Sequence, residues 1–141
     1  LPPSAARLHR ALVEAWPRLE GRVEFVTIGL DQVETRGTDL VVSSHACGNL
    51  TDVVLDRAVS SRARVAVLPC CHHLRSGDAG GLSGWVDRSA AIDIVRAMRL
   101  TREGYRIWTQ AIPVAITPKN RLLIGEPNAP RACGEGPAST P

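Results

Sequence analysis

From Asp39 to His73 the chain reads DLVVSSHACGNLTDVVLDRAVSSRARVAVLPCCHH. Two apolar runs in this stretch, Asp39–Ser44 and Arg64–Leu68, have the length and the β-branched content of short strands, and their continuous apolar centres suit a sheet that is covered on both faces. The apolar residues between them recur at the spacing of one helix face. This order of elements predicts a βαβ unit with parallel strands and a right-handed crossover, and so an α/β fold.

The segments on either side of this unit extend the pattern. An amphipathic helix is predicted at Ser4–Leu19, and the β-branched and aromatic residues of Val23–Ile28 predict a strand. Another amphipathic helix is predicted at about Val86–Glu103. Two further strands are predicted at Tyr105–Ile112 and Arg121–Gly125, and the loop between them is too short for a parallel crossover. The sheet should therefore end in an antiparallel hairpin.

Composition limits the class of protein. With 141 residues, of which 44% are hydrophobic, the chain is long enough for one core and no more. Its formal net charge of +3 is far below that of a dedicated nucleic-acid binder. No apolar stretch has the length of a membrane span, and the first residues lack the layout of a secretion signal, so we expect a soluble cytoplasmic protein without a membrane partner. Two of its four cysteines are adjacent, which favours reduced thiols over a disulfide framework.

Chemically reactive residues follow both strands of the predicted βαβ unit. His45 and Cys47 come directly after the first strand, and the run Cys70–His73 comes after the second. Because the carboxyl ends of neighbouring parallel strands lie at one edge of a sheet, we expect the two groups to approach each other. Imidazoles titrate near neutral pH, and thiolates are soft nucleophiles and ligands. This edge is therefore the predicted functional site.

The residues after the second strand also have a purely structural interpretation. One cysteine of an adjacent pair at a strand end usually points into the core, so either Cys70 or Cys71 could serve packing alone. His72 and His73 could equally be a solvated pair beside Gly77–Gly84, whose four glycines predict a flexible loop.

Zinc binding is a rival interpretation of the same residues, since imidazoles and thiolates are the usual ligands of zinc. Two considerations argue against it. Zinc sites with ligands close in sequence usually contain Cys-x-x-Cys pairs, and adjacent residues of a strand, such as Cys70 and Cys71, point to opposite faces. We therefore expect no metal at this edge.

The stretch from Asp39 to His73 resembles a branch of the class I S-adenosylmethionine-dependent methyltransferases. The resemblance rests on the joint occurrence of two signatures, HACGNLTD at 45–52 and CCHH at 70–73. Similar signatures occur in the methyltransferase domain of proteins with a glutathione S-transferase C-terminal domain and in a eukaryotic tRNA 2′-O-ribose methyltransferase family. Either signature alone would be weak, whereas the pair is fairly specific.

The resemblance implies a Rossmann-like sheet with strands in the order three, two, one, four, five, seven, six, the seventh antiparallel. The five predicted strands would be strands three to seven of an incomplete fold, with a mostly parallel sheet and a C-terminal antiparallel hairpin. Strands one and two, whose turns hold the methionine and ribose parts of the cofactor, would be missing. We expect strand three to pair beside strand four instead, since its backbone groups need partners.

The domain boundaries follow from this interpretation. Residues 1–127 would form the C-terminal part of a methyltransferase-like domain. Residues 128–141 are dominated by Pro, Gly, Ala and Ser, which predicts a disordered tail.

The resemblance also assigns roles to individual residues. S-adenosylmethionine is the implied cofactor, and the residues implied to contact it are Gly29, Leu30, Asp31, Ser44 and Ala46. The residues that we predict to be catalytic are His45, Cys47, His72 and His73. Of these, His45 and His72 would orient or deprotonate the methyl acceptor, with His73 as a substitute. The residues expected to bind the acceptor, for which RNA is the candidate, are Lys119, Asn120 and Arg121, because cations on this edge could contact phosphates.

Several of these residues also have purely structural interpretations. Asp31 could be an ordinary turn residue. Asp52 matches the aspartate of the HACGNLTD signature, but in the first turn of a helix it could serve only the helix dipole. Lys119 and its neighbours could be a solvated hairpin tip.

Three functions stay open at this point. The first is methyl transfer by a domain of which this chain is part. The second is a non-catalytic interaction module derived from a methyltransferase, which predicts that no cofactor binds. The third is a small Cys/His zinc-binding module, which predicts stoichiometric metal that is lost when Cys47 and Cys71 become Ala. The sequence does not indicate an oligomeric state.

Overall fold

The structure is a computed structural model that describes residues 3–129. Within those residues the order of elements is α1 (Pro3–Ala15), β1 (Leu40–Ser43), α2 (Leu50–Ser61), β2 (Arg64–Val67), α3 (Arg88–Arg102), β3 (Tyr105–Ala111) and β4 (Arg121–Pro127). The chain divides into two compact units, Leu1–Val33 and Glu34–Pro141. Most of the predicted tail falls on residues 130–141, which lie outside the described residues.

The first unit is built on α1. This helix ends at Ala15, before the predicted end at Leu19. The reason is Pro17, which has no backbone N–H and disfavours helical geometry in the residue before it, so that Trp16 has a φ of −137°. A short 3-10 turn follows over Pro17–Leu19.

The prediction of a strand at Val23–Ile28 is wrong. This segment is not a strand, and it pairs with none of the four described strands. Its β-branched residues give it strand propensity, but a strand forms only where a partner supplies backbone hydrogen bonds. The expected pairing beside β1 does not occur, because β1 is an edge strand of the sheet.

The second unit contains the sheet, and its first half is the predicted βαβ unit. β1 and β2 are parallel, with Leu40 opposite Arg64 and Ser43 opposite Val67, and α2 forms the connection between them. The strand order is β1-β2-β4-β3, with β4 antiparallel to both of its neighbours. This is the order four, five, seven, six that the resemblance implies. The predicted parallel pair is confirmed.

The antiparallel hairpin is confirmed as well. β3 and β4 pair along their whole length, and Ile112 N donates to Asn120 O over 2.8 Å where the loop closes. Val67 at the end of β2 pairs with Leu123 near the start of β4. The hairpin loop therefore lies at the same edge of the sheet as the carboxyl end of β2.

The core of the second unit lies between the sheet and the two helices α2 and α3, which contact each other. The side chain of Tyr105 crosses this core, and its hydroxyl lies 2.8 Å from Ala58 O and 3.0 Å from Ala63 O at the end of α2. The largest fully buried side chains of this unit are Tyr105, Leu55, Leu100, Val65, Val67 and Thr51. This packing fixes the βαβ unit against the hairpin.

The expectation of a sheet covered on both faces is not met within residues 3–129. Leu40 and Val42 of β1 remain 55% and 66% exposed. The apolar run of β1 therefore has only one packed face in the described part of the chain.

None of the helices formed by residues 3–129 is both long enough and apolar enough to cross a bilayer.

Candidate active site

The turn after β1, which carries His45 and Cys47, lies against the loop after β2, which carries Cys70–His73. Gly48 is buried with a φ of +59°, a conformation that favours glycine, and its N–H donates to Cys71 O over 2.9 Å. In the first turn of α2, Thr51 Oγ1 donates to Ala46 O over 2.6 Å and so holds the other side of the turn after β1. The predicted approach of the two groups at one edge of the sheet is confirmed.

Three thiols meet at this edge, and we call Cys47, Cys70 and Cys71 the thiol cluster. Their Sγ atoms all lie within 4.8 Å of one another, and those of Cys47 and Cys70 are 3.2 Å apart. All three thiols are free, Cys47 and Cys71 are exposed, and Cys70 is half-buried. None of them is therefore simply a core residue.

The expectation that Cys70 and Cys71 point to opposite faces is wrong. β2 ends at Val67, so the alternation of side chains along a strand does not extend to this pair. In the loop that follows the strand, the two sulfurs turn towards the same neighbour, Cys47.

The thiols differ in acidity because they bond to one another. The hydrogen bond with Cys70, followed by that with Cys71, raises the pKa of Cys47 to about 11. The same bond with Cys47 lowers the pKa of Cys70, since the thiol of Cys47 stabilises a thiolate at Cys70. Cys47 is therefore protonated near neutral pH, and Cys70 is the better nucleophile of the two.

The three predicted catalytic histidines have different environments. His45 is exposed just after β1. His73 is also exposed, but its ring lies over Gly48 so closely that a Cβ at Gly48 would be 2.0 Å from His73 Cδ2. The side chain of His72 is only 3% exposed. The interpretation of His72 and His73 as a solvated pair is therefore wrong for His72.

His72 is held by a carboxylate that the sequence analysis did not single out. Its Nε2 lies 2.7 Å from Oδ1 of Asp93 on α3, and Asp93 Oδ2 accepts from Arg121 Nε over 2.8 Å. An ionised carboxylate can only accept, so Nε2 of His72 donates the hydrogen of this contact.

Arg96, also on α3, extends these contacts under the turn after β1. It is 4% exposed, and it makes a bidentate pair with Asp52 through Nε to Oδ1 (2.9 Å) and Nη2 to Oδ2 (2.7 Å). It also donates to Gly48 O over 3.0 Å and to Asp93 Oδ1 over 3.3 Å. Burial alone would lower the pKa of Arg96, but Asp52 and Asp93 outweigh it and raise that pKa. We call these residues the ion network: Asp52, His72, Asp93, Arg96 and Arg121. Arg96, His72 and Asp93 are its buried members, whereas the side chains of Asp52 and Arg121 are 39% and 42% exposed.

Sequence reasoning missed Asp93 and Arg96, because charged residues on a helix usually face solvent. One signal could have found Arg96. It lies four residues after Ile92 and four before Leu100, both buried, so it occupies the apolar face of α3. A charged residue at such a position indicates a paired, buried group.

The hairpin loop lies beside His72, as its position at the sheet edge requires. A cavity of about 410 Å³ is lined by Cys71, His72, Arg88 and Lys119, among others. Of the three predicted acceptor-binding residues, Lys119 is exposed there. The other two have structural contacts: Asn120 Nδ2 donates to Ile112 O (2.7 Å), and Arg121 bonds to Asp93 and to Ser89 Oγ.

The residues predicted to contact the cofactor fall in both units. Ser44 is exposed immediately after β1, and Ala46 is half-buried in the turn that follows. The others, Gly29, Leu30 and Asp31, belong to the first unit, where Leu30–Gln32 forms a 3-10 turn.

The sheet and its edge define a mixed α/β domain with a candidate active site where two parallel strands end. Residues 5–77 match a family described as a methyltransferase domain. Since this match covers slightly more than half of the chain, the chain belongs to that methyltransferase family. The four-stranded sheet is compatible with a methyltransferase-like fold.

One curated relative matches part of the chain. A glutathione S-transferase C-terminal domain-containing protein from Xenopus laevis is 40% identical over 48 residues. The match covers 34% of this chain and 8% of the relative, so the chain corresponds to a small part of that protein. No solved structure matches the chain significantly.

Proposed function

We propose that this chain provides the acceptor side of an S-adenosylmethionine-dependent methyltransferase site at the edge where β1 and β2 end. One observation carries the proposal: the groups after the two parallel strands are joined there by the Gly48 to Cys71 hydrogen bond. Both groups lie inside residues 5–77, the part that matches the methyltransferase family. An exposed imidazole, His45, lies in the same turn.

The described residues fit this cofactor in part. Exposed Ser44 and, two residues further on, half-buried Ala46 can line one side of it. The turn itself offers no cradle at Gly48, because Cys71 O occupies its N–H and the His73 ring covers its Cα. When bound, S-adenosylmethionine supplies an electrophilic methyl group on sulfur.

His45 is the residue that we assign to the acceptor. Methyl transfer is an in-line displacement, so placing the acceptor atom provides much of the rate advantage. An exposed imidazole beside the methyl donor can orient an acceptor hydroxyl and take its proton as the methyl group moves. Cys47 is not the nucleophile in this scheme, because its raised pKa keeps the thiol protonated at neutral pH.

His72 has a different role in this proposal, as a positioning residue. Its side chain is almost inaccessible, and its contact with Asp93 fixes the loop that carries Cys70–His73. Asp93 also binds Arg121, and through it the same carboxylate orients the start of β4. His73 positions the turn after β1 by covering Gly48.

RNA is the acceptor class that we propose. Two cationic side chains, Arg88 and Lys119, line the cavity beside Cys71 and His72. Cations in a cavity beside the site are suited to contacts with phosphates, which position a nucleic acid without reading its sequence. The modest net charge of +3 agrees with a local contact of this kind rather than an extended binding surface.

The test has a binding arm and a transfer arm. Calorimetric titration with S-adenosylmethionine is carried out on the 141-residue chain and on any longer polypeptide that contains it. Transfer of a labelled methyl group is then measured to bulk tRNA and to a protein extract. We expect transfer to RNA, and a loss of about 100-fold or more in kcat for His45→Ala with an unchanged melting temperature.

The acceptor assignment has its own matched pair of variants. Lys119→Ala should raise KM for RNA and leave kcat unchanged. Arg102→Ala removes an exposed cation at the other end of α3 and should change neither constant. Transfer to protein but not to RNA would overturn the acceptor class. Absence of cofactor binding in every polypeptide tested would favour the non-catalytic interaction module.

A further inference from the structure

The thiol cluster has no part in the methyl transfer proposed above, and its geometry points to a separate activity. We propose that Cys47, Cys70 and Cys71 bind one Zn²⁺ ion, with the fourth coordination position open to solvent. This reverses the expectation from sequence that no metal binds here. The proposal goes beyond methyl transfer and does not depend on it.

The spacing of the sulfurs is close to what zinc requires. In a tetrahedral site with Zn–S bonds of about 2.3 Å, neighbouring sulfurs lie about 3.8 Å apart. In the thiol cluster the Cys47 to Cys70 distance is 3.2 Å, and all three sulfurs lie within 4.8 Å of one another. Each distance thus differs from the required one by at most about 1 Å, which small side-chain rotations can supply.

The backbone holds these ligands together without the metal. Cys47 belongs to the turn after β1, and the other two cysteines belong to the loop after β2. The hydrogen bond from Gly48 N to Cys71 O joins the two segments, and Leu68 N donates to Ser43 O over 2.8 Å at their base. A site that is formed beforehand costs little conformational entropy when the ion binds.

The donor set selects the class of cation. Thiolates favour zinc and other soft or borderline ions, whereas magnesium and calcium prefer oxygen ligands. Each thiol that binds the ion releases its proton to solvent, including that of Cys47, so binding should strengthen as pH rises. Cys47 and Cys71 are exposed, so the side of the cluster away from the backbone faces solvent and a water molecule can complete the coordination. Three protein ligands with one open position is the arrangement of reactive zinc sites, whereas structural sites have four protein ligands.

The experiment uses the full chain, purified under reducing conditions, with zinc as the probe. Zinc affinity is measured by competition with a chromophoric chelator, and stoichiometry by elemental analysis after free metal is removed. Co²⁺ then replaces zinc, and thiolate-to-cobalt charge transfer in the near ultraviolet reports how many sulfurs coordinate. We expect one zinc per chain and a cobalt spectrum typical of three thiolates.

Four serine variants test the assignment. Cys47→Ser, Cys70→Ser and Cys71→Ser should each weaken zinc binding more than about 100-fold, since loss of a residue behind a metal ligand already costs about 10- to 100-fold. Cys133→Ser replaces a cysteine outside the described residues and should leave binding unchanged. Circular dichroism without metal checks that each variant folds, as expected for exposed Cys47 and Cys71.

Three results would overturn the proposal: less than stoichiometric zinc on the unmodified chain, unchanged binding by the three cluster variants, or loss of binding with Cys133→Ser alone. The assay contains neither S-adenosylmethionine nor a methyl acceptor. Failure of zinc binding therefore leaves methyl transfer standing, and failure of methyl transfer leaves the zinc site standing.

Discussion

The thiol cluster and the ion network lie at the same edge of the sheet, but the cluster is largely exposed and the network is centred on a buried arginine. The cluster is exposed at Cys47 and Cys71, and its sulfurs bond mainly to one another. In the network, Arg96 is 4% exposed and contacts two carboxylates and a carbonyl. Stability should therefore depend on the network, and chemical reactivity on the cluster.

The two regions share one backbone element, the turn after β1. Gly48 donates its N–H to Cys71 in the loop of the cluster, and its carbonyl accepts from Arg96 in the network. Through Gly48, the network thus fixes the turn that carries Cys47 of the cluster. Substitutions should separate the two regions, because those in the network change the free energy of unfolding and those in the cluster do not.

The largest effect is expected for Arg96→Met. The substitution removes the buried partner of Asp52, Asp93 and Gly48 O. Because Asp52 is 39% exposed and Asp93 keeps Arg121, the cost in the free energy of unfolding should lie at the lower limit for a buried pair, about 3 kcal/mol. The measurement is urea unfolding followed by circular dichroism.

Arg99→Met is the matched control for that prediction. Arg99 lies one turn further along α3 and pairs with Asp56, but their side chains are 38% and 53% exposed. Such a surface pair contributes at most about 1 kcal/mol. Equal losses for Arg96→Met and Arg99→Met would show that the network is not the main support of this edge.

A smaller loss is expected for Asp93→Asn. The amide keeps an acceptor for His72 but removes the charge that Arg96 and Arg121 contact, so unfolding should become easier by about 2 kcal/mol. Asp56→Asn, at an exposed position, should cost less than about 0.5 kcal/mol. The same urea titration measures both variants, and an unaffected Asp93→Asn protein would remove Asp93 from the network.

The sequence was sufficient for the parts of the fold that rest on regular patterns. The βαβ unit and the hairpin follow from apolar runs of strand length, helical spacing and a short loop, and all of these are local properties of the chain. Val23–Ile28 has the same local pattern, yet it is not a strand. Pairing is a long-range property, and the composition of one segment does not specify its partner.

The candidate site was predictable only in part, for a related reason. The rule that parallel strands end at one edge predicted that His45 and Cys47 approach the run Cys70–His73, and the structure confirms it. The partners of that run were not predictable. Asp93 lies on a helix that starts far along the chain, and its contact with His72 depends on how α3 packs on the sheet.

The third-largest loss of stability is expected for Gly48→Ala, which tests the turn after β1 that the two regions share. An L-residue at φ +59° is strained by about 1 kcal/mol, and the new Cβ would also displace the ring of His73, so we expect a total loss of about 1.5 kcal/mol. Gly81→Ala is the control, because Gly81 has a φ of +75° with no neighbour within 4 Å and should show the strain alone. In a His73→Ala background the two losses should become equal. An excess that persists there would mean that something other than His73 opposes the side chain.

The smallest effect on folding is expected for Cys70→Ala, which should leave the unfolding free energy unchanged and alter the reactivity of Cys47. The hydrogen bond with Cys70 is the main reason that the pKa of Cys47 is about 11, so its removal should lower this pKa towards the ordinary value, although Cys71 still raises it. Below its pKa a thiol loses thiolate about tenfold per pH unit, so a pKa nearer to the ordinary value means more thiolate at pH 8. A less basic thiolate is also a weaker nucleophile, and the net gain in alkylation rate should be at most about tenfold.

Iodoacetamide labelling of the metal-free chain across pH, with Cys47 quantified by peptide mass spectrometry, measures this rate. The control variant Cys133→Ala should leave the rate unchanged. If Cys47 of the unmodified chain already titrates at the ordinary pKa of a cysteine, the sulfurs are not hydrogen-bonded in solution, and the cluster has no internal order to compare with that of the network.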